Sequence, residues 1–169
     1  LEPKGSGFIG HHGDDAVLAN DGQWIGFSIE IGPDGAVYIL DWHDPDICGI
    51  DVFEKDTGRI YRVAPPGHSG KAGLNLAKLS DEELVDLQHH RNDWYVRRAR
   101  VLLQQRAEEE ILSSNVHAAL WEQFQSGSDT GRRLRSLWAL HVTGGASQGQ
   151  LTNLLEHSDA HIRAWAIQL

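Results

Sequence analysis

Methionine is absent from the 169 residues, and cysteine occurs once, at Cys48. A single thiol excludes an internal disulfide and says little about the redox compartment. Long apolar runs are missing too, "AVYIL" (36 to 40) being typical at five residues. A membrane-crossing helix needs about 20, so none can be drawn here. No basic start followed by an apolar core opens the chain, so no signal peptide is visible. Positive charge is scarce: 15 Lys and Arg against 24 Asp and Glu give a formal net charge of −9. That balance argues against a nucleic-acid backbone as partner. With no initiator, an opening in mid-pattern at Leu1, and a close on "HIRAWAIQL" without a following Gly or Pro, the chain reads as a piece of a longer protein.

What is present divides unevenly. All five prolines lie at or before Pro66, and 13 of the 18 glycines lie at or before Gly73. All four lysines precede residue 79, whereas nine of the eleven arginines fall from Arg91 onward. The shift centres on "APPGHSGKAGLN" (64 to 75), whose Pro, Gly and Ser content reads as a linker.

Before the linker the hydrophobic period is that of strands. "FSIEI" (27 to 31) alternates, with Phe27, Ile29 and Ile31 expected on one face. "GPDG" follows as a turn, with Pro where its fixed φ fits and Gly to close it. "AVYILD" (36 to 41) is a second strand, rich in β-branched and aromatic residues, and "GRIYRVA" (58 to 64) a third. "SGFIG" and "AVLAN" are further candidates for short strands.

After the linker the period is helical and it repeats. Asp93, Asp129 and Asp159 are each followed four residues later by Arg97, Arg133 and Arg163, at intervals of 36 and 30 residues. Such intervals suit a two-helix repeat, with each Asp at a helix start, where it can cap and meet the positive dipole end. "ILSSNVHAALWEQF" and "GQLTNLLEH" are plausible second helices, so four to five helices stacked in pairs are expected. "EEE" (108 to 110) is read as the favourable acidic start of the helix that follows it. Trp94, Trp121, Trp138 and Trp165 are read as core or inter-repeat packing.

The densest polar cluster is Asp41, His43, Asp44 and Asp46, at a strand end and in its loop. Carboxylates at this spacing suit Ca²⁺, and the His43 imidazole could assist proton or hydride transfer. "HHGDD" (11 to 15) is the second: His12 with Asp14 or Asp15 could ligate a metal or pair as base and orienter. For both, turn chemistry is the competing reading, the carboxylates bonding loop amides. His89, His90, His117, His141, His157 and His161 lie on or between helices with no strong metal spacing.

The ordered set "HGDD", "LAND", "GPDGAVYILDW", "DP" and "GRIYRVAPPG", followed by Asp-x-x-Val-Arg helices, resembles the large bacterial membrane-bound dehydrogenases of the planctomycete type. The resemblance covers nearly the whole chain. It implies a β-propeller similar to glucose and sorbosone dehydrogenases, then HEAT-like repeats, and in many members a C-terminal cytochrome c. On that basis the chain is an α+β fragment in two parts. The first, 1–66, is a terminal antiparallel propeller blade. A linker at 67–77 joins it to an α-solenoid of HEAT-like helix pairs at 78–169. The parent would oxidise a sugar or polyol and pass electrons to a haem domain, with Ca²⁺ and pyrroloquinoline quinone as possible cofactors. No Cys-x-x-Cys-His occurs, so no c-type haem attaches here. The implied location is the periplasm or cell envelope. The implied partners are the other blades, the downstream domain and a protein on the solenoid. The alternative is a non-enzymatic scaffold whose surfaces bind protein or glycan.

Overall fold

A computed structural model describes residues 1–44, 56–68, 70 and 74–169. The chain forms two compact units, one of Leu1–His11 with Leu74–Leu169 and one of His12–Gly73. It is a mixed fold with two small antiparallel sheets and six α-helices among the described residues. Neither sheet closes into a barrel. Of the expected linker, residues 69 and 71–73 lie outside the described residues. No helix among the described residues is long and apolar enough to cross a membrane.

The helical unit opens with a hairpin, β1 (Glu2–Lys4) and β2 (Gly7–Ile9), in register Glu2↔Ile9 and Lys4↔Gly7. "SGFIG" thus supplies a strand, whereas "AVLAN" forms none. Gly5 turns the hairpin at φ +58°, and a Cβ there would lie 1.7 Å from His161 Nε2. Two reasons therefore require glycine at this position: the left-handed backbone and the imidazole against it.

The sheet unit carries β3 (Gly26–Ile31), β4 (Val37–Asp41) and β5 (Arg59–Val63) in the order β3-β4-β5. The three expected strands are found within about a residue of their ends. "GPDG" turns β3 into β4: Gly35 N–H donates to Gly32 O, Asp34 Oδ1 accepts from Ala36 N–H, and Gly35 sits at φ +80°. Pairing Ile29↔Ile39, Ile31↔Val37, Ile39↔Tyr61 and Val37↔Val63 puts these six side chains on one face. That face is not sealed: Ile29 remains 68% exposed and Ile31 45%.

Six helices follow in the helical unit. After a 3₁₀ turn at Leu76–Lys78 come α1 (Asp81–Asp86), α2 (Asp93–Glu108), α3 (Val116–Ser126), α4 (Thr130–Val142), α5 (Gln148–Leu154) and α6 (Ala160–Gln168). Consecutive helices pack as α1 on α2, α3 on α4 and α5 on α6; α1 also meets α3, α2 meets α4, and α4 meets α6. The count exceeds the expected four to five because α1 is an additional helix, capped by a Ser80–Glu83 capping box.

The repeated aspartates do lie at helix starts. Asp129 and Asp159 are N-caps, accepting from Arg132 N–H and His161 N–H. Asp93 is the first helical residue instead, and Asn92 caps α2 through the Trp94 N–H. The arginines four residues on have a shared use at two of the junctions. Arg133 donates to Gly127 O and Arg163 to His157 O, each reaching back six residues to tie the preceding loop to its helix. Arg97 instead pairs with Asp93 across one turn.

Two apolar clusters fill the helical unit. Leu84, Leu103, Leu120 and Leu140 centre the first, and Phe124, Leu134, Leu137, Leu151 and Ile162 make the second. Trp94, Trp121, Trp138 and Trp165 pack against them, as expected. Asp81 joins α1 to the far end of α2 by accepting from Arg106 and from the Ser113 N–H. Burial alone would raise the Asp81 carboxyl, but those bonds outweigh it and hold it below its ordinary value.

Glu108 to Glu110 lie at the C-terminal end of α2 and do not open α3, which starts at Val116. Ile111 N–H bonds Arg106 O and Glu110 N–H bonds Ala107 O, closing a Schellman motif with Glu110 at φ +57°. The end of α4 uses the same motif with Gly144 in that place, at φ +76°. A side chain in the left-handed region, and an acid at the negative end of the helix dipole, both cost stability. Glu110→Gly is therefore expected to stabilise the unit by about 1 kcal/mol. A urea melt checks it, and a lower midpoint would refute the strain argument.

His89 is half-buried beside Ser136 Oγ, 3.3 Å from its Nε2. Burial first, then the Arg132 charge, push its imidazole below the ordinary value. A histidine that resists protonation when folded contributes fully above its unfolded pKa of about 6.5. The contribution is lost as pH falls through the lower folded value. The melting temperature should fall as pH drops below about 6.5, and less so in His89→Gln. Identical pH profiles for the two proteins would remove His89 from the account.

Candidate functional site

The sequence expectation centres on Asp41, and the sheet explains its position. Asp41 ends β4 directly opposite Arg59, the first residue of β5. The residue is 3% exposed and its side chain is fully buried. Oδ1 accepts from Ile25 N–H at 2.9 Å and His43 N–H at 3.1 Å. Oδ2 accepts from Arg59 Nε at 2.7 Å, with Nη2 at 2.6 Å closing the charge pair outside hydrogen-bond alignment. Both oxygens are engaged.

Arg59 is shared. Its Nη1 donates to Asp21 Oδ2 at 2.7 Å, while Asp21 Oδ1 accepts from Gln23 N–H at 2.9 Å. The guanidinium thus bridges two aspartates, one from the loop before β3 and one from the end of β4. The Arg59 guanidinium carbon lies 5.3 Å from the centre of the Tyr61 ring, and Trp24 meets the same ring edge-on. His43 closes the cluster, its Nε2 3.4 Å from Asp21 Oδ2. Its backbone sits at φ +48°, and its carbonyl accepts from Thr57 Oγ1. Nδ1 of His43 is enclosed and has no hydrogen-bond partner among the described residues.

These contacts set the charges. Burial alone would raise the Asp41 carboxyl, but the Ile25 and His43 N–H groups and Arg59 together hold it below the ordinary carboxylate range. Asp21 is lowered by the Gln23 N–H and then by Arg59. Arg59 is raised in turn, by Asp21 foremost and by Asp41. Fixed anions whose oxygens already accept hydrogen bonds and face an arginine are suited to holding a backbone and poorly suited to accepting a proton.

A second bridge of the same kind lies at the other end of β4. Arg62 Nε donates to Asp34 Oδ2 at 2.7 Å, Tyr38 Oη–H donates to the same oxygen at 3.2 Å, and His68 Nε2 lies 2.7 Å from Asp34 O. Burial opposes the lowering of the Asp34 carboxyl, but the Ala36 N–H and Arg62 prevail. Arg59 and Arg62, on opposite faces of β5, each fasten one end of the β4 strand to its flanking turn or loop.

Asp44 is buried near the strand end. Asp46 and Cys48 lie outside the described residues. His12, Asp14 and Asp15 are exposed, and no hydrogen bond or ion pair engages them among the described residues. The structure therefore brings Asp41 and His43 together with Asp21 and Arg59, partners the sequence reading does not name. Among the described residues, no group of three or more His, Cys, Asp or Glu side chains is placed to hold a metal ion. No protein-family model, curated protein or solved structure matches the chain.

Proposed function

We propose that this chain is a scaffold portion of an oxidoreductase acting on a sugar or polyol and passing electrons to a haem domain, as the resemblance implies. The observation that carries the scaffold role is the Asp21–Arg59–Asp41 bridge. Asp41, the expected centre of chemistry, has no free oxygen for a cation or a proton. Ca²⁺ would have to displace Arg59, and the described residues offer no other assembled carboxylate set.

Other features support the parts of the reading. Three antiparallel strands in sequence order, with an apolar face left open, suit a blade that neighbouring blades would cover. Helix pairs whose alternate members also pack on each other suit a HEAT-like stack. A periplasmic or envelope location and the remaining blades as partners complete the proposal.

Dye-linked oxidation of sugars and polyols tests it, with pyrroloquinoline quinone and Ca²⁺ added to the purified chain. No turnover is expected from the chain, whereas the parent protein with its neighbouring domains should reduce the dye. Turnover by the chain that vanishes in His43→Ala would overturn the scaffold role and make His43 a proton-handling residue. A parent inert toward every sugar and polyol tried would overturn the oxidoreductase.

A further inference from the structure

The helical unit holds a cation with no direct ion-pair partner among the described residues. Arg100, in the middle of α2, is partly buried, and its guanidinium carbon lies 5.2 Å from the centre of the Trp138 ring on α4. Trp138 meets Trp165 of α6 edge-on, with ring centres 4.8 Å apart. Arg100 Nε and Trp138 Nε1 are both enclosed, and neither has an acceptor among the described residues. The terminal Nη1 and Nη2 of Arg100 are not enclosed, and among the described residues no hydrogen bond or ion pair engages them.

The acid closest in charge terms is already committed. Asp93 accepts from Arg97 Nε through one oxygen, and its other oxygen lies 3.2 Å from Arg135 Nη2. Three arginines thus surround one carboxylate, and Arg100 makes no direct hydrogen bond or ion pair with it. Burial lowers its guanidinium from the ordinary value; Arg135 and Arg97 push the same way, against Asp93. A partly buried charge without a counter-ion is costly, and an external anion removes that cost.

We propose that Arg100, floored by Trp138 and flanked by Arg97 and Arg135, binds a carboxylate on an acidic segment of a protein partner. The planar fork of Nη1 and Nη2 matches a carboxylate in bidentate fashion, and the Trp138 ring lies within cation–π range of the guanidinium. The neighbouring Trp165 gives the aliphatic stem of a glutamate an aromatic surface. The overall charge of −9 makes this patch a local exception, which favours a partner recognised by a short acidic segment. This site stands on α2, α4 and α6 alone and is independent of the oxidoreductase reading.

Titration of the full chain, observed through ¹⁵N–¹H resonances of Arg100 Nε–H and the Trp138 indole, tests it. The probes are a short glutamate-containing peptide, its glutamine counterpart, acetate and inorganic phosphate. The glutamate peptide should move both resonances and bind about tenfold more tightly than the glutamine peptide, as expected for a charge-assisted pair. Arg100→Gln should remove that preference, and Arg100→Lys should restore only part of it. Arg98→Gln, at an exposed arginine of α2 whose guanidinium faces Trp94, should change nothing. Circular dichroism confirms that each variant folds, and if Arg100→Gln does not, the lysine variant carries the test. Equal binding of the two peptides, or an undiminished preference in the folded Arg100 variant, overturns the site. Phosphate binding as tightly as the peptide would make it a general anion site, and acetate doing so a small-carboxylate site. Either result overturns the protein partner.

Discussion

Asp41→Ala is expected to reduce hydrogen-exchange protection of the β3, β4 and β5 amides by roughly a hundredfold, on the order of 3 kcal/mol. Alanine removes the acceptor of two backbone N–H groups and half of the counter-charge of Arg59. Groups left buried without partners cost more than the bonds themselves contribute. Asp41→Asn should cost less, because its oxygen can still serve the Ile25 and His43 N–H groups while the pair with Arg59 loses its charge. The carboxyl is lowered on folding, so its contribution is present above the unfolded aspartate value of about 3.9. It is lost as pH falls through the lower folded value. Unchanged protection in Asp41→Ala would mean that the sheet is held elsewhere and that the bridge is incidental.

Leu140→Ala should destabilise the helical unit by about 3 kcal/mol, the usual cost of a cavity at a fully buried leucine. The consequence extends past the cavity because α4 belongs to both apolar clusters. Leu140 and Ala139 face the first, and Leu134 and Leu137 the second. Loss of helix on one side should therefore bring down the other, giving one unfolding transition. Urea melts followed by far-ultraviolet circular dichroism and by tryptophan fluorescence should coincide, with the midpoint shifted and the slope kept. Two separated transitions in the variant would show that the clusters are energetically independent.

The parts of this fold that were readable from sequence are those governed by near neighbours. Alternation marked β3, β4 and β5, and the GPDG turn announced itself through Pro33, Asp34 and Gly35. Aspartate placement marked the starts of α4 and α6 because capping is a contact over two or three residues, and that of α2 because Asp93 sits in its first turn beside the Asn92 cap. Ser80 and Glu83 spell a capping box that would have revealed α1, but its short apolar pattern carries little periodic signal. The acidic run at 108–110 misleads because charge next to a helix favours its start, whereas here a turn in the left-handed region ends one. The candidate site was half legible. Asp41 and His43 stood out by type, but the meaning of Asp41 depends on Arg59, 18 residues away, and on Asp21, 20 residues before it. An arginine within an otherwise apolar strand such as "GRIYRV" is the signal that a distant carboxylate is required.

The opening hairpin implies an order of events during synthesis. Ser6 Oγ lies 3.1 Å from His161 Nδ1, across a separation of 155 residues. On the ribosome Ser6 emerges long before the segment that will hold it. The strands from β3 to β5 and the helices from α1 onward can form from nearby sequence as it appears. β1 and β2 have to wait, and two three-residue strands have little reason to persist alone in the meantime. Closing so long a loop is entropically slow relative to local pairing, so the hairpin should be the last element to dock. A nascent chain stalled before α6 would leave the β1–β2 hairpin loose, open to proteases and to other chains, until translation delivers His161.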